Sequence, residues 1–526
     1  MNSKIIRFPA TQKRVLIVNC FFDEMRFTVG RNTQIPQAMG PVYLAGAFSP
    51  DACNIRLYDE QSSGPLEDEK LLSWPDMLVL TGLNTAFDRM LHLTAYVRTK
   101  NPKAIVVAGG PAIRNLPNLS RQYFDYVCLG DVEELQQVVE DAFDRNHVSE
   151  QMDPRYDLAY WMTYFGYVES SRYCNFKCSF CALTGEGHGY QKYDLEFIRR
   201  QIVNLGKRKG PIVFLDNNFY GNDRQYFFDR LALIKDLRKD GYIQRWSALV
   251  SSDFFYRDDN LARVKDAGCI ALFSGVETFD FKWLQSVNKL QNTRIEQIGL
   301  IRKCLENGIV FLYGTMLDVS SRPLADLRRE LDFIVDHSEI TLPSYLSVVV
   351  PILGTPDFYK CLAAGSILPL TKLRDVESTT LCVKPLDPVD DVTQFIYDIQ
   401  TLHGLKQRVV QHSWRFYKRY RSYLSNFQMV VALGNALKLS YQITASLTAI
   451  PNSIRPRNRR RTHLSTTEIL DKVYEPAFGV KSCYQSYFKP TLLTDETGEI
   501  TKELAPDIYR NRSAGEQGDR LKEQRN

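Results

Sequence analysis

A chain of 526 residues, 44% hydrophobic and 12% aromatic, has material for several buried cores, roughly three at ~150 residues per domain. The formal charge of +5 is small for this length. No apolar run with a small-residue cleavage site stands in MNSKIIRFPATQKRVLIVNC, which argues against a secretory signal and for a cytoplasmic setting. Eight of the eleven cysteines (20, 53, 128, 269, 304, 361, 382 and 483) are scattered singly, which argues against a disulfide framework.

Residues 13–150 alternate short β-branched runs with helical stretches. RVLIVN (14–19), NIRLYDE (54–60), DMLVLTGL (76–83), AIVVAGGP (104–111) and YVCLGD (126–131) read as strands, with helices at MGPVYLAGAFSP (39–50) and about 86–100. That alternation predicts an α/β, doubly wound, Rossmann-like domain with a parallel sheet. Ligands in such sheets lie at the carboxyl ends of the strands. There stand Thr81, Leu83, Gly109, Gly110 and Gly130, whose small neighbours let backbone approach a bulky ligand. Taken alone, the glycines equally fit βα turn geometry.

Within residues 160–365, SSRYCNFKCSFCALTGEGHG (170–189) carries Cys174, Cys178 and Cys181 as C-x3-C-x2-C, with Phe180 before the last. Three thiolates on one short loop can hold three irons of a [4Fe–4S] cubane and leave the fourth open to a reactant. Structural zinc usually takes four ligands, often as paired C-x2-C units. No second pair occurs, and His188 would have to fold back to serve. Strands are expected at 167–171, 211–216, 246–251, 270–276, 309–317 and 345–350, with amphipathic helices such as 194–208 and 293–308, the latter closed by Gly308. Six βα units make a partial barrel, with chemistry at the carboxyl ends of its strands. Asp216, Asn217 and Asn218 follow the second strand, Ser274 and Glu277 end the fourth, and Asn288-Lys289 could close over the same pocket. The competing reading of Asp216 and the asparagines is a cap on the next helix.

The cysteine spacing and the aromatic before the third cysteine resemble the radical S-adenosylmethionine (SAM) superfamily. The resemblance implies that SAM chelates the open iron and that an electron from the cluster cleaves it to methionine and a 5′-deoxyadenosyl radical. It also implies SAM contacts for Asp216, Asn217, Asn218, Ser274 and Glu277. The preceding α/β domain is similar to the cobalamin-binding domain of B12-dependent members, with Thr81-x-Leu83, Gly109-Gly110 and Gly130 at the matching strand ends. The Asp-x-His-x-x-Gly motif that gives cobalt a histidine is absent. His92 and His147 lack that context, and a lone His92 on a helix reads as packed or exposed.

Residues 366–512 read as a mainly helical, basic region and 513–526 as a disordered tail. From Asp398 to Glu468 no acidic residue intervenes while twelve lysines and arginines do, so the remainder of the chain is net acidic. SWRFYKRYRSYL (413–424) mixes cations with aromatics, and the largely uncharged stretch 427–450 holds Lys438 near its middle. A lysine at mid-span costs about 2.5–3.5 kcal/mol, so an interfacial helix on a membrane surface is expected rather than a spanning one, with a buried helix as the alternative. No recognition module accompanies the arginines, and no nucleic acid is expected.

PQAMGPVYLAGAF (36–48), PRYDLAYW (154–161) and 168–191 resemble the bacterial hopanoid C-2 methylases. That resemblance implies methylation of an unactivated sp3 carbon of a hopanoid lipid, through a cobalamin-borne methyl group, with an electron donor such as ferredoxin or flavodoxin. No general base is required and no catalytic side chain is nominated. The alternatives are another B12-dependent radical SAM methylase, a tetrapyrrole cyclase, or a non-catalytic corrinoid or Fe–S sensor.

Overall fold

The computed structural model describes residues 12–21, 38–376, 380–400, 404–434 and 474–509. Strands β1 (Lys13–Asn19), β2 (Cys53–Asp59), β3 (Met77–Thr81), β4 (Ile105–Gly109) and β5 (Tyr126–Val127) form one parallel sheet in the order β2-β1-β3-β4-β5. Its central strands are apolar on both faces because both faces are covered. Val15 and Ile17 pack with Val42 and Tyr43, whereas Leu16 and Val18 pack with the helix Phe87–Lys100. In this winding the order reverses between β1 and β3, and the crevice for a ligand opens at their carboxyl ends. Thr81, Gly82 and Leu83 stand there, and the Cys20 amide donates to the Thr81 carbonyl at 2.7 Å.

The second sheet comprises β6 (Gly166–Val168), β9 (Ile212–Phe214), β10 (Trp246–Leu249), β11 (Cys269–Glu277), β12 (Val310–Leu317) and β13 (Tyr345–Val348). They pair in parallel in the order β13-β12-β11-β10-β9-β6, a curled half-barrel. Between β6 and β9 lies a short antiparallel pair, β7 (Ser171–Arg172) and β8 (Gln191–Lys192). The strand expected over 167–171 is therefore cut in two. Asp216 causes the break by pulling Ser170 and Ser171 towards the end of β9. The helix expected from 293 starts at Gln297, because Leu290–Thr293 is a 3-10 turn; it ends at Glu306, and Gly308 follows with φ +70°.

In the carboxyl-terminal region, helices run over Val389–Gln400, Lys406–Tyr420 and 426–434. Gln428 donates its side-chain amide to the carbonyls of Ile270 at 3.0 Å and Gly308 at 2.7 Å, so the last of these helices covers the amino-terminal ends of β11 and β12. Residues 427–434, the start of the expected interfacial helix, are thus packed on the barrel, with Met429 and Ala432 buried. Positions 435–450, the arginines at 455–461 and the tail 513–526 lie outside the described residues. Residues 474–509, with a 3-10 helix over Ser482–Phe488 and a helical turn over 505–509, pack on the first domain. Asp88 accepts hydrogen bonds from the amide and hydroxyl of Thr491 and from the Tyr474 hydroxyl, and Phe488 stacks on His92 at 4.6 Å. His92 is accordingly a packed side chain. Among the described residues no helix is long and apolar enough to cross a membrane.

Candidate active site

The cysteine loop is held at its root. The β7–β8 pair joins Arg172 to Gln191, clasping the two ends of the loop between them. Asp216, fully buried, accepts hydrogen bonds from the Ser170 amide (3.1 Å) and hydroxyl (2.6 Å) and from the Ser171 hydroxyl, and lies 3.6 Å from Arg230. Its carboxylate is thus engaged in holding the root of the loop. It caps no helix, since Asp223 caps Arg224–Lys239. Tyr173, immediately before Cys174, sits at φ +62°, a left-handed conformation costly for a bulky residue. Two contacts hold it there: its hydroxyl donates to the Asp131 carboxylate, and its ring stacks on His188 at 4.6 Å.

Burial pushes the Cys174 thiol up to about 11, and the neighbouring cysteines add to the rise; Cys181 is raised for the same reason. Such thiols give up protons when a metal replaces them. Among the described residues, no three His, Cys, Asp or Glu side chains converge on a single ion. A cubane asks for something else, one thiolate at each of three iron corners, and three soft donors on one loop beside a strand end suit it.

At the barrel mouth, Glu277 ends β11 at φ +64° and forms an ion pair with Lys289, both nearly buried. Gly275 makes room for that pair, because a Cβ there would lie 2.7 Å from the Lys289 Nζ. Burial alone would depress the Lys289 ammonium, but the Glu277 carboxylate and the thiols of Cys178 and Cys181 outweigh it and raise its pKa. Lys289 also lies 5.7 Å from the Phe180 ring. Asn218 is buried between the Asn175 side chain (2.9 Å) and the Ser251 amide (3.1 Å), whereas Asn217 is exposed. Ser274 is buried on the opposite side of β11 from Gly275. Successive strand residues face opposite sides, and Ser274 pairs with Tyr313, whose hydroxyl reaches the Thr341 carbonyl. Gly275 and Glu277 share the other side, where a Cβ on Gly275 would meet the Glu277 carboxylate. The sequence reading missed Asp253, which lies beside Asn218 and near Cys174; burial pushes its carboxyl up to about 6.

The sheet edge of the first domain faces this loop. Besides Tyr173–Asp131, Arg172 pairs with Glu133 at 2.8 Å and Arg114 with Glu186 at 2.8 Å. Arg114 also donates to the carbonyls of Leu129 and Gly130, both at 2.9 Å. Asp131 and Glu133 follow β5, and Arg114 follows β4. The cysteine loop is therefore tied to the turns that carry Gly109, Gly110 and Gly130. At the same edge Leu83 is 67% exposed, although large and apolar. Gly110 has φ +98°, and a Cβ there would stand 3.0 Å from the Gly82 carbonyl and 3.2 Å from the Thr81 hydroxyl. An open edge with an apolar platform and bare backbone fits a large planar ligand.

Residues 168–330 match the radical SAM superfamily. The chain is 24% identical over 297 residues to the hopanoid C-2 methylase of Rhodopseudomonas palustris (strain TIE-1), a match covering 52% of this chain and 55% of that protein. It is 21% identical over 322 residues to the bacteriochlorophyllide d C-8(2)-methyltransferase of Chlorobaculum tepidum, covering 56% of this chain and 69% of that one. The aligned region thus spans about half the length of the hopanoid methylase. Among solved structures, the cobalamin-dependent SAM radical enzyme OxsB with aqua-cobalamin and SAM bound superposes with a TM-score of 0.56 at 14% identity, covering 98% of this chain and 80% of that one. TsrM from Kitasatospora setae with cobalamin and a [4Fe–4S] cluster bound gives 0.51 at 15% identity, covering 71% and 79%. The shared property is the fold.

Proposed function

We propose that this chain, whose residues 168–330 match the radical SAM superfamily, is a cobalamin-dependent radical SAM C-methyltransferase that works with a [4Fe–4S] cluster and SAM. The observation that carries this reading is the triple tie between the cysteine loop and the strand-end turns of the first sheet, through Tyr173–Asp131, Arg172–Glu133 and Arg114–Glu186. It would bring a corrinoid on that edge and SAM at the barrel mouth into one cleft. When bound, the cluster would supply the electron for reductive cleavage of SAM, and the corrinoid would supply the methyl group for the substrate carbon.

The chain's own residues bind and orient. Cys174, Cys178 and Cys181 hold the cluster. Glu277 and Lys289, opposite charges side by side, match the ammonium and carboxylate of SAM's methionyl group. Asn218 and Asp253 offer further polar atoms at the same mouth. Thr81, Leu83, Gly109, Gly110 and Gly130 would bear the corrinoid, with no histidine ligand from His92.

The substrate we propose is a hopanoid, methylated at C-2, a reading supported by the hopanoid methylase match. A peripheral membrane contact accords with a lipid substrate. It is supported by the exposed Val410, Trp414 and Tyr417 on the helix Lys406–Tyr420, beside Lys406, Lys418 and Arg421. The similarity to a bacteriochlorophyllide methyltransferase favours a second reading, a tetrapyrrole methyl acceptor. The test is anaerobic, reconstituted protein with cobalamin, a reductant, methyl-labelled SAM and either a hopene in detergent or a chlorin. 5′-Deoxyadenosine with label in the hopene is expected. Label in the chlorin alone would replace the substrate, and no deoxyadenosine from protein with an intact cluster would overturn the enzyme reading.

A further inference from the structure

The loop 287–292 backs onto the cysteine loop and is fixed from every side. The Ser179 amide donates to the Val287 carbonyl at 3.0 Å, and Asn288 donates its side-chain amide to the Lys177 carbonyl at 2.8 Å. The Tyr256 hydroxyl donates to the Gln291 carbonyl at 2.6 Å. Asn292 reaches the carbonyls of Gly275 (2.7 Å) and Val276 (3.1 Å) and accepts from the Ser252 hydroxyl (2.8 Å). Within this frame the side chain of Gln291, only 5% exposed, points its Nε2 at the Cys178 Sγ, 3.6 Å away.

A buried primary amide is costly unless it is hydrogen-bonded. A neutral thiol is a weak acceptor, whereas bonds to an ionised acceptor are roughly twice as strong as neutral ones. The contact therefore stabilises most when Cys178 is a thiolate ligand. Cys174 draws on the backbone, its sulfur accepting from the Phe176 amide at 3.5 Å. At Cys178 the donor is a side chain.

We propose that Gln291 is a positioning residue that sets the reduction potential of the cluster through its hydrogen bond to Cys178. Hydrogen bonds to the sulfurs are among the determinants of cluster potential. Reduction adds one negative charge to the cluster and its ligand sulfurs, and a donor on one of those sulfurs stabilises the reduced form more than the oxidised one. The proposal rests on the radical SAM reading of the cysteine loop and is independent of the substrate.

The test uses the full-length protein, reconstituted with iron and sulfide and titrated without SAM, cobalamin or substrate, so a wrong methyl acceptor would leave the result untouched. Gln291→Met keeps the length and removes the donor. The expected result is full iron and sulfide content with a midpoint potential lowered by a tenfold shift in the one-electron equilibrium, about 59 mV. Asn288→Ala, which loosens the loop without touching a sulfur, is expected to leave the midpoint in place. An unchanged midpoint in Gln291→Met would overturn the proposal. So would an equal fall in Asn288→Ala, which would assign the effect to loop geometry, or a Gln291→Met protein unable to hold its cluster, which would assign Gln291 to assembly.

Discussion

Glu277 and Lys289 neutralise each other in a nearly dry strand end, so neither can be altered without consequence for the other. Removing one partner of such a pair leaves a buried charge uncompensated, at about 3–5 kcal/mol. Glu277→Gln and Lys289→Met are each expected to weaken SAM binding at least tenfold, about 1.4 kcal/mol, read by equilibrium dialysis on cluster-loaded protein. The double variant is expected to recover thermal stability but not SAM affinity, since it restores neutrality without restoring either charged contact. Glu277 was legible in the sequence as a carboxylate where an apolar strand stops, and the three cysteines by their spacing. The direction of Ser274 was not legible, because strands buried on both faces are apolar throughout, leaving no alternation from which to read it. The bonds of Asp216 were not legible for another reason: its partners Ser170 and Ser171 lie about 45 positions away along the chain, and nothing local announces them.

At the scale of elements, the root of the cysteine loop depends on a carboxylate that belongs to a different strand. Asp216→Asn would weaken its bonds to both serines and leave the buried Arg230 without its counter-charge. A loss of about 3–5 kcal/mol is expected, with a lower denaturation midpoint and reduced iron uptake. Gln428→Ala exposes a different dependence. It would leave the Ile270 and Gly308 carbonyls unpaired at the closed end of the barrel, costing about 1–3 kcal/mol. Stability measured in denaturant should fall while SAM affinity stays as in the parent, because that end lies away from the mouth. The order of strands and helices was legible from hydrophobic runs and their spacing. The breaks at Glu169–Ser170 and at Leu290–Thr293 were not, since the first is imposed by Asp216 from another strand and the second accompanies contacts with the cysteine loop, rather than either following local preference.

Over the whole molecule, the two sheets communicate through charged and polar ties at their facing ends. Tyr173→Phe and Asp131→Asn are expected to be non-additive, with a coupling of about 1.5–3 kcal/mol for a hydrogen bond to a charged group. A double-mutant cycle in denaturant measures it; additive effects would show that the two domains are held together elsewhere. The anchoring of residues 474–509 on the helix Phe87–Lys100 bears on how the protein is made. Asp88 meets Thr491 across 403 positions, so the first sheet emerges from the ribosome without the cover for its own helix. At about 5–20 residues per second the wait is on the order of 20–80 s, during which Asp88, His92 and Tyr96 face whatever surrounds the nascent chain. The domain that begins first is finished last, and a chaperone that shields this helix during synthesis would find its binding site erased in the completed protein.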